Sequence, residues 1–192
     1  MLTKEEKKEL LKIARDSIDY YFKGLIYQPT TIFKKIKKPQ GAFVTLKIND
    51  GLRGCIGILE TKEPLYKVVS TMSLSAAFAD TRFLPLTQEE FERTIIEISA
   101  LSPLKKIKDP YREIKIGEHG VMIKSTPTSW RRGSGVFLPQ VAVETNWGLE
   151  EFLNELCKNK ASLPPDTWKK GEVDIYVFTA EVFSEKNLIK DL

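Results

Sequence analysis

Histidine occurs once in the 192 residues, at His119, and cysteine twice, at Cys55 and Cys157. With no second histidine and no paired-cysteine spacing, zinc lacks a ligand set. Two thiols in unrelated contexts do not make the stapled framework of a small secreted fold, although a disulfide between them is left open. An oxygen-ligand magnesium or calcium site also stays open, but no calcium-loop pattern occurs. No motif calls for a cofactor. Long apolar runs of bilayer-spanning length are missing. The opening stretch Met1-Leu2-Thr3-Lys4-Glu5-Glu6-Lys7-Lys8 lacks the apolar core of a signal peptide, so cytoplasmic residence is expected. Excess charge is also missing: the formal net charge is only +4. The basic clusters at 34–38, 105–108 and Arg131-Arg132 read as solvated faces, and aromatics do not interleave with the lysines. Nucleic-acid binding is therefore the weakest of the functional readings.

What is present suits one globular domain. The apolar fraction is 42% and the charged fraction 29%, and the length allows a substantial core. Thr3-x-x-Glu6 is a capping box that opens a helix over about 3–24, closed by Gly24. Alternation from Ala42 to Ile48, then Asn49-Asp50-Gly51, predicts a hairpin reaching about Leu59. Pro64 starts a second helix, and 80–86 forms a non-helical link. Thr87-x-x-Glu90 caps one short helical turn, and Glu92 to Leu101 reads as a strand. A second hairpin is expected over 120–124 and 135–138. An amphipathic helix carries Leu149, Phe152, Leu153, Leu156 and Cys157, and a last strand covers Val173 to Ala180.

The two halves echo each other. A shift of 79 residues aligns Gly41 with Gly120, Arg53-Gly54-Cys55 with Arg132-Gly133-Ser134, and Leu84-Pro85 with Leu163-Pro164. The common order predicts two β-β-α-β repeats, about 41–103 and 119–183, within a single domain over 1–192. The fold class expected is α+β with mainly antiparallel sheet and an added N-terminal helix.

Chemistry concentrates in Leu52-Arg53-Gly54-Cys55-Ile56-Gly57, where a cation and a thiol interrupt a strand. A neighbouring cation lowers a thiol's pKa, and two-residue spacing puts Arg53 and Cys55 on one strand face. Glycines 54 and 57 mark a close approach by a backbone or a ligand. Cys55 is thus the candidate nucleophile, with His119 and Glu144 as candidate acid or base. Candidate substrate contacts are Arg53, Gly54, Gly57, Asp80, Arg82, Arg132, Ser134 and Gln140. The plainer readings stand beside these. Cys55 packs as a small hydrophobe, His119 bonds its own turn, Asp80 and Arg82 pair to fix the link, and 131–135 is a hairpin tip.

Leu52-Arg53-Gly54-Cys55-Ile56-Gly57 resembles the signature hexapeptide of the AMMECR-domain family. Gly41 to Leu46, Ala77 to Leu86, Ile98 to Pro103 and Phe137 to Glu144 resemble its other motifs, in the same order. Thr81 stands where the family commonly has proline. The resemblance implies a larger and a smaller subdomain with a cleft between them, more than it implies an activity. It also implies pathway partners, a Memo-type protein and a radical S-adenosylmethionine enzyme. Three functions follow as expectations. One is a thiol-dependent enzyme, or enzyme component, acting on a small anionic or carbonyl-bearing substrate in the cleft. Another is a non-catalytic protein-interaction or adaptor module, and the last is nucleic-acid binding.

Overall fold

The computed structural model describes residues 1–188. Its described residues divide into two compact units, 1–101 together with 181–188, and Ser102–Ala180.

In the first unit, helix α1 (Lys4–Phe22) starts at the expected capping box, with Thr3 and Glu6 exchanging side-chain and backbone hydrogen bonds. It ends before Gly24, whose φ of +67° suits glycine, and Leu25 lies beyond it, exposed. Strand β1 (Ala42–Ile48) turns through Asn49 and Asp50, both at positive φ, into β2 (Gly51–Ile58). That is the chemistry of a primed two-residue turn. Helix α2 (Leu65–Phe78), helix α3 (Gln88–Arg93) and strand β3 (Ile95–Leu101) follow. Glu92 and Arg93, expected at the start of the strand, instead finish α3, because the Thr87–Glu90 box carries the helix one turn further.

The sheet runs β2-β1-β3-β8, where β8 is Ala180–Ser184, and helix α7 (Glu185–Leu188) comes after it. Ala42, Val44 and Leu46 pair in register with Ala100, Ile98 and Ile96. All six are buried among Leu10, Ala14 and Ile18 of α1 and Leu65, Val69 and Ala76 of α2. Each larger aliphatic side chain so placed contributes about 1.5–3 kcal/mol.

The second unit holds β4 (Lys105–Ile107), helix α4 (Pro110–Glu113), β5 (Gly120–Ser125) and β6 (Ser134–Phe137). Helices α5 (Pro139–Thr145) and α6 (Leu149–Glu155) follow, α6 running into a wider turn at Leu156–Lys160, then a 3-10 turn at Pro165–Lys170. Strand β7 (Val173–Phe178) completes a sheet ordered β4-β7-β5-β6. Val121, Ile123, Ile175 and Val177 pack against Phe152, Leu153, Leu156 and Cys157. The last expected strand, Val173 to Ala180, is two strands of different sheets, broken at Thr179. Its N–H there is taken by the Ser102 hydroxyl at 2.9 Å. Both sheets place the first strand of a hairpin between its partner and the strand that returns after the helices, in the orders β2-β1-β3 and β6-β5-β7.

Candidate functional site

Strand β2 lies at a sheet edge, where unpaired backbone groups invite pairing with foreign strands. At Cys55 that edge is closed by the link after α2. The Cys55 N–H donates to Asp80 Oδ2 at 2.9 Å, and Arg82 Nη2 donates to the Cys55 carbonyl at 3.1 Å. Arg82 also grips both Asp80 oxygens, at 2.9 and 2.7 Å. Asp80-Thr81-Arg82 therefore stands in for one residue of a neighbouring strand. Asp80 is buried, and the Arg82 hydrogen bonds, aided by the Cys55 N–H, hold its carboxyl down at about 2 against the opposing effect of burial.

Arg53 occupies a bulge. Leu46 pairs with Gly54 and Lys47 with Leu52, so Arg53 has no β1 partner and simple two-residue alternation does not run through it. Its guanidinium forks onto Glu90, Nε to Oε1 and Nη2 to Oε2, both at 2.9 Å, and Nη2 also donates to the Leu84 carbonyl at 2.9 Å. Arg53 is the chief reason that the Glu90 carboxyl is held down at about 2. Glu90 was legible only as the second half of a capping box; its partnership with Arg53 carried no sequence signal. The guanidiniums of Arg53 and Arg82 lie 5.7 and 5.6 Å from the centre of the Phe83 ring. Beside it, Leu84 is 83% exposed.

The Cys55 thiol is half-buried, and Thr45, its cross-strand neighbour, donates to Sγ at 3.2 Å. Burial pushes this thiol up, outweighing the downward pull of the Thr45 hydrogen bond and the Arg82 charge. The charge of Arg53 is committed to Glu90, and the guanidinium that reaches the Cys55 backbone is that of Arg82. Space left by the two glycines is taken by protein. A Cβ on Gly54 would lie 2.2 Å from the Ala76 carbonyl oxygen of α2, and one on Gly57 would lie 2.3 Å from the Phe43 ring. Of the two readings of glycine in this strand, close approach of protein is the one these contacts satisfy.

The remaining candidates belong to the second unit. His119 bonds its own turn, Nδ1 accepting from the Lys115 N–H at 3.3 Å, and its own N–H donating to the Lys115 carbonyl at 2.9 Å. Glu144 is exposed on α5. Gln140, in the first turn of α5, has a buried Oε1 with no hydrogen-bond partner among the described residues. Arg132 is spent on the carbonyls of Thr126 and Pro127, at 3.1 and 3.2 Å, and Ser134 sits exposed in β6 opposite Lys124. Both cysteines are free thiols, and Cys157 is sealed in the core, its thiol raised to about 11 by burial. The structure thus brings Arg53, Cys55, Asp80 and Arg82 together around one link. Glu90, Thr45, Phe83 and Leu84 complete that cluster, although none of them is among the candidate site residues that the sequence offers.

The AMMECR1 family model matches residues 11–183. The chain belongs to the AMMECR1 family. Protein NEQ441 of Nanoarchaeum equitans is 40% identical over 183 residues, covering 92% of this chain and 98% of that protein. Protein MK0488 of Methanopyrus kandleri is 41% identical over 198 residues, covering 96% and 91%. The crystal structure of uncharacterized protein PH0010 from Pyrococcus horikoshii superposes with a TM-score of 0.81 at 36% identity, covering 92% of this chain and 90% of that one. No helix among the described residues is long and apolar enough to cross a membrane.

Two depressed carboxyls give this AMMECR1-family protein a defined acid response. Asp80 and Glu90 are held at about 2, below their ordinary 3.8 and 4.5. Groups lowered in the folded state contribute stability that is present above their ordinary values and lost as pH falls towards 2. The urea midpoint is therefore expected to be level above about pH 5 and to fall steadily below about pH 4. Asp80→Asn and Glu90→Gln should each start lower at neutral pH and fall less steeply. A midpoint whose acid slope is the same in both variants as in the parent would refute the assignment.

Proposed function

We propose that this protein is a non-catalytic docking module, in which the 80–86 link presents Phe83 and Leu84 to a protein partner. The observation that carries the reading is Leu84, 83% exposed on a backbone whose carbonyl is held by Arg53 at 2.9 Å. An apolar side chain on an already ordered link loses little freedom on binding. The flanking guanidiniums add the arginine and aromatic chemistry that dominates binding energy in protein interfaces. The raised Cys55 thiol, short of thiolate at neutral pH, argues against the thiol-enzyme reading. Family resemblance makes a Memo-type protein or a radical S-adenosylmethionine enzyme the partner to try first.

Two measurements test this. Alkylation by iodoacetamide near neutral pH, mapped by peptide mass, is expected to modify Cys55 more slowly than glutathione, since the thiolate is the reacting form. Faster modification than glutathione would return the thiol-enzyme reading to first place. Calorimetric titration with a purified Memo-type protein is expected to show binding that Leu84→Asp weakens by roughly tenfold or more and Cys55→Ser leaves intact. Equal binding by Leu84→Asp, or loss in Cys55→Ser alone, would overturn the docking assignment.

A further inference from the structure

We infer that the β5–β6 loop, residues 126–133, is a second and separate binding surface, built to receive an acidic protein segment carrying an apolar anchor. Trp130 is 77% exposed there, and the Arg131 guanidinium stacks 4.4 Å from its ring centre. Exposing a tryptophan leaves its large apolar surface in water, and tryptophan and arginine are the residues most enriched where interfaces derive their energy.

The loop is ordered without a partner. Ser125, buried at its base, exchanges hydrogen bonds with Gly133: Ser125 N–H to the Gly133 carbonyl at 2.9 Å, and Gly133 N–H to Ser125 Oγ at 2.9 Å. Arg132 ties down the carbonyls of Thr126 and Pro127, and the Ser129 hydroxyl donates to the Arg131 carbonyl at 3.0 Å. A Cβ on Gly133 would lie 2.2 Å from the Ala161 carbonyl oxygen, so the base is also pressed against the turn after α6. A loop held this way presents Trp130 and Arg131 at little further entropic cost.

Charge selects the partner. No carboxylate occurs from Lys124 to Gly135. Lys160 adjoins the same hairpin: its Cβ lies 2.6 Å from where a Gly135 Cβ would stand, and its ammonium is 5.9 Å from the Phe137 ring centre. Among the described residues, Lys124, Arg131, Arg132, Lys158 and Lys160 are exposed and none forms a salt bridge. Lys105, Lys106, Arg112, Lys115, Lys169 and Lys170 of the same unit are paired, whereas Lys108 is exposed and, among the described residues, forms no salt bridge. Arg131, Arg132 and Lys160, on or beside a loop that carries no carboxylate of its own around an exposed aromatic, complement an acidic segment; the Asp174 carboxylate opposite Lys124 is engaged by Lys106. Single-stranded nucleic acid fits less well, because it uses several stacking aromatics along a groove, and the loop offers one.

The test uses the whole chain and three fluorescein-labelled probes: a short peptide alternating glutamate with leucine, its lysine counterpart, and an oligothymidylate. Fluorescence anisotropy is expected to show saturable binding of the acidic peptide only, weakened by roughly tenfold in Trp130→Ala and comparably in Arg131→Gln. Unlabelled acidic peptide should also shift tryptophan emission to the blue in the parent and not in Trp130→Ala. Because Trp130 is exposed, the variants are expected to keep the parent's circular dichroism. Absence of saturable binding, equal binding by both variants, or tighter binding of the oligothymidylate would overturn the inference. Leu84→Asp is expected to leave acidic-peptide binding unchanged, which separates this surface from the one proposed above.

Discussion

Arg15→Ala is expected to destabilise the first unit by roughly 3–5 kcal/mol, the largest effect of any single change away from the apolar core. The Arg15 guanidinium forks onto Glu185, Nε to Oε1 at 2.7 Å and Nη2 to Oε2. It also donates to the carbonyls of Phe91 and Thr94, at 3.3 and 2.6 Å, and stacks 4.8 Å from the Phe91 ring centre. Glu185 is 7% exposed and receives the Ile96 N–H at 2.8 Å besides. Removing the arginine strands a buried carboxylate and two backbone carbonyls together. Glu185→Gln keeps the shape and one acceptor, so a smaller loss is expected. Replacing both by apolar residues, Arg15→Met with Glu185→Leu, should recover part of the loss, because the penalty comes from the uncompensated charge rather than from the missing attraction. Urea unfolding followed by circular dichroism measures all three. A cost under about 1 kcal/mol for Arg15→Ala would place this pair with ordinary surface salt bridges and refute the argument.

Gly54→Ala should follow closely, at about 3 kcal/mol, the upper end of the cost of overpacking. The added methyl would meet the Ala76 carbonyl oxygen at 2.2 Å. That oxygen belongs to helix backbone, so relief requires α2 and β2 to separate along the face that carries Val69 and Ala76. Cys55→Ala, one residue on, fills no space and is expected to cost far less. Gly133→Ala meets the Ala161 carbonyl oxygen at the same 2.2 Å and should behave alike in the second unit. Gly54 and Gly133 are partners in the 79-residue echo, so matching penalties would support reading the halves as two copies of one unit. A tolerated Gly54→Ala would mean that the close approach is not what the glycine is for.

Much of this architecture was written locally. Capping residues, the Asn-Asp-Gly turn and the alternation of Ala42, Val44 and Leu46 all act over a few positions, and those elements were placed correctly. Residues that act across distance were not. Nothing near Arg53 announced Glu90, 37 positions away, or the bulge that redirects its side chain. The stretch from Val173 to Ala180 reads as one strand because its break at Thr179 is made by Ser102, 77 positions distant. For the same reason the cluster's polar groups were legible as chemistry but not as partners. A guanidinium beside a thiol looks like activation until the carboxylate that claims it is located.

The clasp at that break has a consequence for how the chain is assembled. Ser102 N–H donates to the Thr179 carbonyl at 2.9 Å while the Ser102 hydroxyl receives the Thr179 N–H, so the two ends of the 102–180 segment are fastened side by side. The segment is therefore a cassette spliced between neighbouring strands β3 and β8 of a sheet that is otherwise self-contained. A short bridge from Leu101 to Glu181 would have little distance to cover, which makes this seam the natural place to exchange one cassette for another.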